Sequence, residues 1–239
     1  VFPIQNINTA KYTRTYSTVS QVFDGKFSEL KKIDHEDYQD LEPEFLEYYT
    51  DYGDLEQVRE YALEIASKGA SVIDQVILIE RFLEVNYTYS LQPGGEEVEN
   101  RLLYFLFENK KGYCTYFAFA MALLCRSLDI PARVAIGFMS RPQREIMNYY
   151  MIKGDDAHAW VEVFFPDYGW IPFDATYGEY GYIDASHIAL KKSVDSGESS
   201  TYFGWKGRNV EVKSSKLNIE TVAKIIRRQI PKVFNITVI

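Results

Sequence analysis

Cys114 heads an apolar run, Gly112-Tyr113-Cys114-Thr115-Tyr116-Phe117-Ala118, and this placement is what could do chemistry. A glycine-containing loop followed by apolar residues at helical spacing puts this cysteine in the first turn of a buried helix. The start of a helix carries unpaired N–H groups and partial positive charge. In such settings thiol pKa values fall from about 8.5 to between roughly 3.5 and 7.5. The same amides could receive the oxyanion of a tetrahedral intermediate. His158 begins the β-prone run His158-Ala159-Trp160-Val161-Glu162-Val163, and Asp174 follows the next, Trp170-Ile171-Pro172-Phe173. The short Pro166–Gly169 connection predicts an antiparallel hairpin that sets Asp174 opposite residues near 160–162. A nucleophile, a base and a carboxylate that orients the base would then meet at one cleft.

The elements that must position these residues follow from periodicity. Val72, Ile73, Val76, Ile77, Ile79, Phe82 and Leu83 form a helical stripe after the capping candidate Ser71, and Leu55, Val58, Ala62, Leu63 and Ala66 form another. A third helix runs from Cys114 to about Leu128 and is stopped by Asp129-Ile130-Pro131. Beyond it, 133–138, 149–152, 157–165 and 170–173 read as strands. Helices first and consecutive strands after predict an α+β fold with a mostly antiparallel sheet. Residues 1–33 suggest a short strand pair, 34–53 an acidic irregular segment, 185–215 an extended surface segment, and 219–229 an amphipathic helix. The predicted division is an N-terminal extension at 1–50, a core at 51–185 and a C-terminal extension at 186–239.

Composition narrows the function. Aromatic residues make up 15% of 239 residues, which excludes disorder as a description of the whole chain. The net charge of −8 argues against a nucleic-acid partner, because phosphate neutralisation supplies much of that affinity. Charge is uneven: residues 34–60 hold eleven acidic groups and one basic, and eight basic groups lie from Lys206 to the end. Two solvated faces explain this, as would docking to a partner or an anionic surface. No run approaches the ~20 apolar residues of a transmembrane helix. The opening Val1-Phe2-Pro3 reads as a piece of a longer protein, one that could be membrane-anchored. Cys114 and Cys125 are about 16 Å apart on one helix, too far for a disulfide, and Cys125 reads as a core residue. His35, in the acidic segment, and His187, after a Gly-rich loop, lack an assignable partner.

The runs GYCTYFAFAMALLCRSLDIPARVAIGF (112–138), DAHAWVEVFF (156–165) and GWIPFDAT (169–176) resemble the transglutaminase-like superfamily of papain-type cysteine enzymes, over about residues 72–178. The likeness is closest to its bacterial and archaeal transglutaminase-like domains. The resemblance implies a papain-like α+β core with Cys114 as nucleophile, His158 as base and acid, and Asp174 orienting His158. It implies acyl transfer from a protein or peptide amide through a thioester, either to an amine or to water. Animal members depend on calcium, but no DxDxDG-type loop is present here, so neither a metal nor a cofactor is expected. Those enzymes also use an upstream aromatic side chain at the oxyanion. Tyr87 and Tyr89 are the stand-ins, unless both rings simply pack. Trp160 and Tyr113 would wall the cleft, and Arg133 would be a structural ion-pair partner. For free-standing microbial domains the resemblance leans towards cell-surface material and an extracytoplasmic location. A second class stays open: a non-catalytic module that keeps the cleft to hold peptide or glycan.

Overall fold

The computed structural model describes residues 27–95, 97–139, 145–146, 149–150, 152–176 and 236–238. Helix α1 (Phe27–Leu30) leads to a 3-10 turn at Glu36–Tyr38. Leu30, Ile33 and Tyr38 are buried in the same core as the helices that follow. Helix α2 (Pro43–Thr50) corrects the expectation of an irregular acidic segment. Pro43 sits in its first turn, where a missing N–H costs nothing. Phe45 and Tyr49, one turn apart, put ring centroids 4.7 Å from each other and pack on Phe164 and Trp170, while Glu44 and Glu47 face solvent. A one-sided helix of eight residues needs its sheet to exist, and the acidic background hides its apolar face.

Helix α3 (Glu56–Ala66) buries Val58, Ala62 and Ala66 at strict i, i+4 spacing, while Leu63 of the expected stripe turns outward. Helix α4 (Val72–Asn86) starts as predicted: the Ser71 hydroxyl accepts a bond from the Asp74 amide. Its whole apolar stripe except Phe82 is fully buried, and one charged residue, Glu80, is buried with it. Short strand β1 (Thr88–Tyr89), helix α5 (Arg101–Tyr104), a π-helical turn at Phe105–Asn109 and strand β2 (Lys111–Gly112) then lead into helix α6 (Cys114–Ser127). In α6 every residue except Thr115 is buried, as expected of a helix that is apolar on all sides.

The sheet is built from β3 (Ala132–Phe138), β6 (Ala157–Phe165), β7 (Gly169–Phe173) and β8 (Ile236–Val238), in the order β7-β6-β3-β8. Strands β4 (Glu145–Ile146) and β5 (Tyr149–Tyr150) form a separate hairpin. The β3–β6 and β6–β7 pairs are antiparallel and β3–β8 is parallel, which agrees with a mostly antiparallel α+β fold. Residues 1–26, the segment 185–215 and the predicted helix at 219–229 lie outside the described residues. No helix among the described residues is long and apolar enough to cross a membrane.

Alternation divides β6 into two faces. Ala159, Val161 and Val163 join Val134, Ile136, Ile171 and Phe173 in the core. His158, Trp160 and Glu162 share the other face. There Arg133, directly opposite Glu162, meets its carboxylate at 2.7 Å through Nε and lays its guanidinium 4.0 Å from the Trp170 ring centroid. The expected structural role of Arg133 is this buried ion pair. Removing one partner strands a buried charge, so Arg133→Leu should lower stability by about 3–5 kcal/mol, and Arg133→Met with Glu162→Leu should recover most of it. Urea unfolding of the wild type and the two variants checks this; a double variant no better than the single one would contradict it.

Candidate active site

The loop before α6 is fixed from several sides. Strand β1 runs parallel to β2, with the Thr88 amide donating to the Lys110 carbonyl (2.8 Å) and the Ser90 amide to that of Gly112 (2.7 Å). Lys110 ends the π turn in the left-handed region, at φ 54°. The Asn109 side-chain amide donates to the carbonyls of Pro93 and Lys111. Gly112 has a steric reason to be glycine: a Cβ there would lie 2.6 Å from Cβ of Tyr116, in the first turn of α6. Tyr113 then caps the helix in extended conformation, with no side-chain bond to the first amides. This leaves the amide end of the helix to Cys114, which is its first residue and almost completely buried.

Opposite it stands His158, the second residue of β6 and 6% exposed. Its Nε2 lies 2.6 Å from Oδ2 of Asp174, and the Cys114 sulfur is within hydrogen-bonding reach of the same ring. The β6–β7 register pairs Val161 with Phe173, so Asp174 falls beside Trp160, as the hairpin argument expected. The other oxygen of Asp174, Oδ1, accepts bonds from the Thr176 amide (2.9 Å) and hydroxyl (2.6 Å). The structure thus brings Cys114, His158 and Asp174 together.

The electrostatics follow from this packing. Burial disfavours the charged imidazole, but hydrogen bonds to Asp174 and Cys114 outweigh it and raise the His158 pKa to about 10. Burial likewise disfavours the Asp174 carboxylate. The bond and charge of His158 and the two Thr176 donors outweigh that, and hold its pKa below the ordinary carboxylate value. Cys125 is a different thiol: complete burial and the nearby Glu80 push its pKa far up, which suits a core residue.

Residues 59–175 match the model of the transglutaminase-like superfamily core. The chain belongs to this superfamily. It is 33% identical over 205 residues to the protein YebA of Bacillus subtilis, covering 80% of this chain and 26% of that protein. It is 38% identical over 103 residues to a protein-glutamine gamma-glutamyltransferase of Pseudomonas aeruginosa, covering 42% and 15% respectively. The chain therefore spans about a quarter or less of the length of these two relatives. Among solved structures, the periplasmic domain of TgpA from Pseudomonas aeruginosa, bound to ethylmercury, is similar at 30% identity and a TM-score of 0.47, with 58% of this chain and 50% of that chain covered.

Within this transglutaminase-like core the lesser predictions fare differently. Tyr87 is not placed to hold an oxyanion. Its hydroxyl donates its one proton to the Leu106 carbonyl at 2.6 Å, and its oxygen meets the Tyr61 hydroxyl at 3.2 Å. Tyr89 is half-buried, with its ring stacked 6.3 Å from that of Phe117, in the second turn of α6. Trp160 stacks against the imidazole of His158 at 6.3 Å and 21°, and Tyr113 sets its ring edge-on to Tyr116 at 5.0 Å. His35 bonds to Gln75 on the surface, and His187 lies outside the described residues.

Two contributors escaped the sequence. Thr176 holds Asp174, and an Asp followed two residues later by a Thr was a readable turn signal. Glu80 accepts the Asp174 amide at 3.0 Å; its signal was a lone charge among the apolar residues of α4.

The pKa directions fix how stability varies with pH. A raised His158 value of about 10 adds stability in full below its unfolded value near 6.5 and loses it as pH climbs through 10. The lowered Asp174 value adds stability above its unfolded value of about 3.9 and loses it as pH falls through the depressed value. The thermal midpoint should therefore peak between about pH 5 and 6.5 and decline towards pH 10, and His158→Gln should flatten that decline. A variant profile parallel to the wild type over the alkaline range would refute the assignment.

Proposed function

We propose that this chain is a thiol acyltransferase acting on protein or peptide carboxamides, with Cys114, His158 and Asp174 as its reacting and orienting groups. The observation that carries the reading is the imidazole of His158, held between the Cys114 sulfur and the Asp174 carboxylate. The catalytic core falls at residues 51–185, with 1–50 and 186–239 as flanking extensions. The relative described as a protein-glutamine gamma-glutamyltransferase favours a glutamine carboxamide as the donor.

The Cys114 thiolate attacks the carboxamide carbon and the carbonyl π bond opens onto oxygen. The amide of Cys114 and the hydroxyl of Tyr89 are the proposed donors to that oxygen. As the carbonyl re-forms, the C–N bond breaks, and His158 gives its proton to the nitrogen so that ammonia leaves. A thioester remains. A primary amine then attacks it, His158 takes the proton from the amine, and the C–S bond breaks to release the new amide. The thiolate and the imidazolium are restored. Water in place of the amine gives hydrolysis, and the choice depends on cleft walls that include Trp160 and Tyr113. Asp174 keeps Nε2–H turned to itself and favours the charged ring, so it orients the base without reacting.

Incubation with a glutamine-containing peptide and a fluorescent amine, followed by mass spectrometry, tests the reading. The expected product carries the amine on the glutamine side chain; a mass gain of one or chain cleavage would place water as the acceptor. Cys114→Ala should abolish turnover. Asp174→Ala should lower kcat about a hundredfold or more while leaving slow alkylation of Cys114. The pH dependence of kcat/KM should be bell-shaped, with its alkaline limb well above 6.5 because the His158 proton is held so tightly. The alternative reading, a module that only binds peptide or glycan, predicts iodoacetamide labelling of Cys114 no faster than in unfolded protein and indifferent to His158→Ala.

A further inference from the structure

We propose that Glu80 is a positioning residue for Asp174. This rests on the reading of Asp174 and His158 as the orienting acid and base. Glu80 lies on α4, fully buried among Val76, Ile77, Ile79 and Leu83, and is 94 residues from Asp174 in sequence. An enclosed carboxylate is costly unless it is hydrogen-bonded, whereas a leucine at this position would pack with no such penalty. One of its oxygens, Oε1, accepts the Asp174 backbone amide at 3.0 Å.

That amide needs a partner. The β6–β7 ladder ends at the Val161–Phe173 pair, so the peptide N–H of Asp174 lies just beyond the last paired residue. A carboxylate acceptor makes the stronger, charge-assisted bond. With the backbone of Asp174 tied to α4 and Oδ1 held by both Thr176 donors, Oδ2 remains aimed at Nε2 of His158. Three anchors therefore define the carboxylate, and one of them comes from the helical layer rather than from the sheet. Without Glu80 the strand end is free to shift, and displacements of about 1 Å can cost a hundredfold in rate.

The test reads the His158–Asp174 bond directly, through the downfield NMR signal of the His158 Nε2 proton, and Cys114 through its iodoacetamide alkylation rate. Glu80→Leu should lose the signal and slow alkylation about tenfold to a hundredfold, towards the Asp174→Ala value. Glu80→Gln, which keeps an oxygen acceptor, should retain both. Ile73→Ala, which opens a cavity two turns away on α4, should also retain both despite a lower melting temperature. A folded Glu80→Leu protein that keeps the signal and the wild-type rate overturns the proposal, as does Ile73→Ala losing both to the same extent. Should Glu80→Leu not fold, Glu80→Gln carries the test. The Asp174 amide proton should move upfield when a neutral acceptor replaces the carboxylate, and an unmoved resonance overturns the role. Neither readout needs turnover, so a chain that shows these changes yet forms no amide bond keeps Glu80 in this role and sinks only the proposed reaction.

Discussion

A charged hydrogen bond 2.6 Å long, between His158 and Asp174, sits where strand β6 begins and strand β7 has just ended. Taking both groups out of water is expensive, and their attraction repays it only if the remaining lone pairs are matched. The two Thr176 donors supply that matching at Oδ1 of Asp174, and Glu80 accepts the backbone N–H of Asp174. The geometry also depends on register. A slip of one residue between β6 and β7 would turn Asp174 to the core face and put Ala175 on the imidazole's side of the sheet. The turn at Pro166–Gly169 fixes that register, with Asp167 at φ 66° and Gly169 at φ 79° closing the reversal.

The sulfur reaches this pair by a different route. Helix α6 is enclosed on all sides, so its position is set by core packing and its first turn cannot drift. The loop before it must approach that turn closely, and Gly112 permits the approach. Helix α4 links the two halves of the site. Its middle holds the backbone of Asp174 through Glu80, and its end passes through Tyr87 into β1, which pairs with the strand leading to Cys114.

Much of this was legible in the residues. The burial of α6, the strands β3, β6 and β7, and the placing of Asp174 beside the start of β6 rest on periodicity and short turns, which are local properties, whereas the meeting of Cys114 with His158 was what the family resemblance implied. What stayed hidden depends on contacts far apart in sequence. Helix α2 is helical because Phe45 and Tyr49 find Phe164 and Trp170, more than a hundred residues away. Tyr87 and Tyr89 looked equivalent from spacing alone. Two residues apart on an extended segment, they share a face and both rings reach Phe117, but the interior carbonyl of Leu106 captures the hydroxyl of Tyr87. The pairing of β8 with β3 joins segments about a hundred residues apart and leaves no mark in either one.

The same face of β6 shows how buried charge is held here. His158, Trp160 and Glu162 stand in a row along it, and Arg133 answers Glu162 while Asp174 answers His158. Two opposite pairs are thus kept apart by an indole, which stacks on the imidazole and limits water on that side. Were Trp160 replaced by a small residue, solvent would reach the ring and weaken its bond to Asp174, since charge-assisted bonds are stronger where the surroundings screen them less. The aromatic ring therefore preserves the low-dielectric setting in which one proton on His158 is worth holding, and in the proposed reaction it would also bound the space a substrate chain occupies.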